Sequence, residues 1–299
     1  MPHVHSVAAR HRTRLAWVFA LTLAVFVAEV VGAQLSNSLA LLADAGHVFT
    51  DVVGIGLALA AIWIAGRPAT SARTFGYLRL EIFAAVGNAL LLFGVAAFVL
   101  YEAWRRLTEP PAVTFGLMLA VAVVGLVANG VSLYLLRDAQ GHSLNVRGAY
   151  LEVLGDLAGS VAVIVAAIVI ALTGWTPIDA LASVVIAVLI LPRTWRLLRE
   201  ALDVLLEATP KGIDLETVRD HILEAPGVVD VHDLHAWTIT SGMNVVSAHV
   251  VLAEGAKPGD ILDHLGTCLS DDFDVKHSTF QLETPEHVLW EARADHAQL

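Results

Sequence analysis

Residues 41–60 read LLADAGHVFTDVVGIGLALA, an apolar run interrupted by Asp44, His47 and Asp51. An α-helix turns by about 100° per residue, so these three side chains share one face over two turns. Apolar residues fill the other faces, as in a helix of a large core or a membrane. A carboxylate at bilayer depth costs several kcal/mol, and such residues usually face a cavity and act there.

Composition selects the membrane. Of 299 residues, 57% are hydrophobic and 16% charged, and mean hydropathy is +0.69. A soluble domain is about half apolar and a quarter charged. Six stretches long enough for a hydrocarbon core, which takes about 20 residues, run over 15–34, 39–64, 80–101, 115–136, 149–172 and 178–198. The first sits where a signal peptide would. Its apolar run is too long, Glu29 interrupts it and five more spans follow, so it reads as a membrane helix. With the N-terminus inside, eleven arginines fall on cytoplasmic segments and only Arg105 and Arg106 outside. That bias places both termini in the cytoplasm.

The expected organisation is a tail (1–14), a six-helix membrane domain (15–208), a cytoplasmic domain (209–285) and a second tail (286–299). In the third part, DLETVRDHILEA reads as a helix capped by Asp214. VVDVHDLHAWTIT, SGMN and VVSAHVVL read as a hairpin. PGDILDHLGTCL is a second helix and STFQLE a last strand. The order α-β-β-α-β suits a ferredoxin-like α+β domain, small enough to gain stability from a second copy of itself. The net charge of −11, most of it after residue 200, argues against a nucleic-acid partner. A single cysteine, Cys268, leaves no disulfide within the sequence and no cysteine-based zinc site. A metal must be held by His, Asp and Glu.

The fifth span contains YLEVLGDLAGS, residues 150–160, where Glu152 and Asp156 are four apart and share a face. His47 and Asp51 on one helix can meet Glu152 and Asp156 on another. Four nitrogen and oxygen donors suit a tetrahedral divalent-metal site. Gly155 and Gly159 form a G-x-x-x-G pattern that permits close helix approach. Asp44 is expected to orient His47 or to line the access path. Glu29, Asn88 and Asn129, single polar residues in their spans, read as interhelical hydrogen bonds.

The motifs SLALLADAGHVFTDVVGIGLAL, RPATSARTFGYLRLEI, RGAYLEVLGDLAGS, LLEATP and VHDLHAWTITSGMNVVSAHVVL, in that order, resemble the cation diffusion facilitator family. The likeness is to its zinc and cobalt–zinc–cadmium efflux branch. It implies a homodimeric transporter, not an enzyme, in the lipid of the cell membrane. Such a protein exports a divalent metal from the cytosol in exchange for protons and has no organic cofactor. It assigns the transport site to His47, Asp51, Glu152 and Asp156. The branch usually has His at the position of Glu152, so the donors here are one imidazole and three carboxylates. Zinc stays the first expectation, with cobalt and cadmium next. The harder oxygen donors make manganese or ferrous iron the alternative.

In the cytoplasmic domain the resemblance points to His232, His249 and Glu283 as metal ligands, with His235 and His277 as further candidates. An unbroken strand would set His232 and His235 on opposite faces. A two- or four-residue hairpin loop would bring His249 to the His232 face. Arg79 and Glu207 resemble an ion pair linking membrane and cytoplasmic parts. The loop GRPATSARTFGYLR, residues 66–79, contains no Asp or His, so no metal site is expected there. His3, His5 and His11 read as a solvated tail. The rival functions are an organic-cation exporter, a membrane metalloenzyme and a transport-inactive metal sensor. None accounts for the whole order of motifs.

Overall fold

The structure, a computed structural model, describes residues 22–65, 67–136 and 144–287. The chain forms two compact units, one running to Ile64 and resuming over Ala84–Leu198, the other taking Ala65–Phe83 and the residues from Arg199 onward.

Among the described residues the helices of the first unit are α1 (Thr22–Ser36), α2 (Leu39–Ala65), α3 (Leu80–Thr108), α4 (Phe115–Leu136), α5 (Leu144–Thr173) and α6 (Pro177–Leu205); the first turn of α3, up to Phe83, and the end of α6, from Arg199, belong to the second unit. Among the described residues, four segments are long and apolar enough to cross a membrane: Leu80–Thr108, Phe115–Tyr134, Val153–Thr173 and Pro177–Leu205. The expected first span is described only from Thr22, where it forms the shorter apolar helix α1. The 27 residues of α2 extend about 40 Å at the rise of an α-helix.

Lipid is as apolar as leucine, so helices in a membrane associate by close packing rather than by leaving water. The buried cluster of this unit accordingly uses small residues, among them Ala33, Ala40, Ala43, Ala96, Ala122 and Ala166. Glycine allows two close crossings. A Cβ at Gly32 would stand 2.7 Å from Val121 Cγ2, and one at Gly46 only 2.5 Å from Val95 Cγ1.

The start of α2 is fastened from a distance. Asp179, near the beginning of α6, accepts from Ser38 Oγ at 2.6 Å, Leu39 N at 2.6 Å and Ala40 N at 3.2 Å. These are the N–H groups a helix leaves without partners. Arg106 on α3 adds a bond to Asn37 O at 2.7 Å and lies 3.9 Å from the Asp179 carboxylate. Nothing in the spacing of the sequence marks Asp179 for this role.

The second unit contains α7 (Leu215–Leu223), β1 (Val228–Thr240), β2 (Met243–Leu252), α8 (Pro258–Phe273) and β3 (Val275–Glu283). Asp214 caps α7 as expected, accepting from Glu216 N. The sheet order is β1-β2-β3, with β1 antiparallel to β2 and β3 parallel to it. A parallel neighbour needs a crossover, and α8 provides it. Val246, Ala248 and Val250 of β2 bury one sheet face against Val218 and Ile222 of α7 and Leu265 and Leu269 of α8. The hairpin turn has two residues, Ser241 and Gly242, with Gly242 at φ +73°, a left-handed value that glycine adopts at little cost. Thr240 and Ser241 donate to Glu81 at 2.5 and 3.0 Å, so the first turn of α3 anchors the hairpin tip.

Candidate metal centres

On α2, Asp44, His47 and Asp51 point to one side, and α5 runs antiparallel against it. The pairing has a clear register. His47 Nε2 lies 2.7 Å from Asp156 Oδ1. One turn back on α2 and about one turn on along α5, Asp44 packs against Gly159, where a Cβ would stand 2.8 Å from its Oδ1. The same register sets Glu152 level with Asp51; its side chain lies outside the described residues.

His47 Nε2 is also 3.9 Å from Asp51 Oδ2. The ligand atoms of His47, Asp51 and Asp156 all fall within 4.8 Å of one another. Donors bound tetrahedrally at about 2.0–2.2 Å stand roughly 3.4 Å apart, so this trio needs only small shifts to close on an ion. The His47 and Asp156 side chains are 10% and 12% exposed, Asp51 22%. Asp51 is thus the most exposed of the three. The Nδ1 atom of His47 has no hydrogen-bond partner among the described residues. Asp44 packs against Gly159 and does not hold that nitrogen.

A second cluster lies on the open face of the β-sheet. His232 and His249 are direct cross-strand partners, their ring centroids 5.0 Å apart. Glu283 ends β3 between them, with Oε2 3.1 Å from His232 Nε2 and Oε1 2.8 Å from His249 Nδ1. Gln281 donates to the same carboxylate at 2.7 Å.

The expected alternation does not survive in β1. One register shift separates His232 from His235 and another separates Thr238 from Thr240, each inserting one residue into β1, as β-bulges do. The first includes Asp233 at φ +47°. It turns His235 to the same face as His232, correcting the opposite-face expectation for an unbroken strand. Each bulge reverses the parity of the strand; the two together restore it, and His232 meets His249 across a two-residue loop. His235 stands opposite Ser247. His277 stands opposite Val245 and packs edge-on against Phe75, centroids 5.7 Å apart. Neither belongs to the trio.

Arg79 donates to Glu207 at 2.6 Å. Their side chains are 40% and 56% exposed, and a pair so open to solvent contributes about 1 kcal/mol or less. Of the single polar residues read as interhelical hydrogen bonds, Glu29 and Asn88 each leave one oxygen, Oε2 and Oδ1, buried with no hydrogen-bond partner among the described residues.

Residues 15–206 match the model of the cation efflux transmembrane domain, and residues 210–285 that of the cation efflux protein cytoplasmic domain. The chain is 49% identical over 282 residues to the metal cation efflux system protein CzcD of Cupriavidus metallidurans, covering 94% of this chain and 89% of that protein. It is 40% identical over 291 residues to the zinc transporter ZitB of Escherichia coli, covering 95% and 93%. With the cadmium, cobalt and zinc/H(+)-K(+) antiporter of Bacillus subtilis it shares 36% identity over 299 residues, covering 96% and 93%. Among solved structures, the metal-bound C-terminal domain of the CzcD transporter is 42% identical, covers 24% of this chain and 99% of its own, and has a TM-score of 0.23.

Proposed function

The chain belongs to the cation diffusion facilitator family, whose members are transporters rather than enzymes, and from that membership we propose that it exports zinc from the cytosol in exchange for protons. Its relatives are named as efflux systems and transporters for zinc, cobalt and cadmium. The proposed form is a homodimer in the cell membrane, each chain crossing six times with both termini cytoplasmic.

The observation that supports this reading is the trio of His47, Asp51 and Asp156 on facing turns of α2 and α5. With Glu152 at the fourth register position, it would make a transport site of one imidazole and three carboxylates. Metal binding requires those ligands deprotonated, so a divalent ion and protons compete for them. Exposing the site alternately to the two sides then couples their movements. Glu152 favours a second reading of the substrate, manganese or ferrous iron, because carboxylate oxygen is harder than imidazole nitrogen.

Flux into proteoliposomes under a pH gradient tests both, with zinc, cadmium, cobalt, manganese and ferrous iron compared side by side and Asp51→Ala as control. Saturable zinc flux lost in the variant is the expected result. Manganese or iron flux without zinc flux replaces the substrate and keeps the mechanism. Silence for every ion, from a folded protein, defeats transport and favours a sensor. Glu152→His is expected to shift preference towards zinc.

We also propose His232, His249 and Glu283 as a cytoplasmic metal site. A ligand at 100 times its Kd stabilises the folded state by about 2.7 kcal/mol. Zinc is therefore expected to raise the unfolding temperature of the cytoplasmic domain in the full chain, and Glu283→Ala to abolish that rise. An equal rise in wild type and variant would remove the site.

A further inference from the structure

Four helices of the first unit converge on another polar pocket, one turn of α2 from His47 towards Leu39. Asp44 of α2 is 4% exposed, Glu29 of α1 2%, and Ser160 of α5 fully buried. Two glycines make the space. A Cβ at Gly159 would stand 2.8 Å from Asp44 Oδ1, and one at Gly125 of α4 would stand 3.1 Å from Glu29 Oε1 and 3.4 Å from Ser160 Oγ. Ser160 follows Gly159 directly in α5, and its Oγ is buried with no hydrogen-bond partner among the described residues.

Glu29 Oε2 has no hydrogen-bond partner among the described residues. A buried carboxylate left unpaired is costly. Two carboxylates around one pocket need two positive charges for neutrality, which either two protons or one divalent ion provides. That equivalence makes the pocket suited to exchange of the two.

We propose that Glu29, Asp44 and Ser160 form a second divalent-cation station, through which an ion passes between the His47 cluster and the Leu39 end of α2. The station rests on the transport reading above. Its donors are all oxygen, which hold zinc or cobalt less firmly than a set containing imidazole. An ion in transit must bind well enough to enter each site and weakly enough to leave it, and an oxygen-only station beyond a mixed one satisfies that condition.

Equilibrium dialysis of cobalt against the full chain in nanodiscs tests it, with zinc flux measured on the same preparations. Glu29→Gln is expected to bind one cobalt equivalent fewer per chain. It should retain the absorption of cobalt bound at the His47 cluster and lose about tenfold in flux. Asp51→Ala should show the reverse, losing that absorption and keeping the second equivalent. Ser160→Ala, which leaves both carboxylates in place, should weaken the second equivalent and serves if Glu29→Gln fails to fold. Equal cobalt stoichiometry and affinity in wild type and these pocket variants would overturn the station, while wild-type flux still upheld transport. A second equivalent lost in Glu29→Gln, in a wild-type chain that moves no ion, would sustain the binding site and defeat the transport reading.

Discussion

Zinc flux falls to background when Asp156 is replaced by alanine, an expected loss of about 100-fold or more. The size of the effect follows from two roles in one side chain. Asp156 would supply a carboxylate to the ion, and its Oδ1 is the hydrogen-bond partner of His47 Nε2 at 2.7 Å. Alanine removes a donor and frees the ring that carries the nitrogen donor. Asp156→Asn separates the roles, because the amide can still hydrogen-bond to the ring while the charge is gone. A folded Asn variant without flux assigns the loss to ligation. Flux near the wild-type level in either variant would remove Asp156 from the transport site.

The second large effect is on stability. Asp179→Ala is expected to cost roughly 3–5 kcal/mol, the range for breaking a buried, charged hydrogen-bond network. Asp179 is 2% exposed, and its loss strands the Ser38 hydroxyl and the Leu39 and Ala40 N–H groups at the start of α2. It also removes the anion facing Arg106. The measurement is the unfolding temperature in detergent. Asp179→Asn, which keeps an acceptor oxygen, should recover part of the loss. An unchanged temperature in the alanine variant would show that water or another group fills the cap. Zinc flux should fall with stability, because α2 carries His47 and Asp51.

Asp179 also shows where reading by pattern stops. The i, i+4 spacing of His47 with Asp51 and of Glu152 with Asp156 is a local property of a helix with 3.6 residues per turn. It identifies the candidate ligands from sequence, and the bonded partner His47 finds in Asp156 is consistent with it. Hydropathy placed the apolar helices for the same reason, since hydrocarbon thickness constrains each span separately. The Asp214 cap and the hairpin around Gly242 depended on residues within one turn of each other and were legible too.

Other features depend on residues far apart in sequence. Asp179 reaches α2 across 140 positions. Gly125 lets Glu29 pack against α4, and Gly159 lets Asp44 pack against α5. In the sheet, His232 and His249 meet through two bulges, one holding the non-glycine Asp233 in a left-handed conformation that residue identity does not announce. Hydropathy marked the apolar helices and helical spacing the candidate pairs, because both are local properties that repeat along one helix. Which pairs meet, which carboxylate caps a helix and which face a histidine takes were decided by tertiary packing, where one inserted residue reverses a strand and one absent Cβ opens space for a charge.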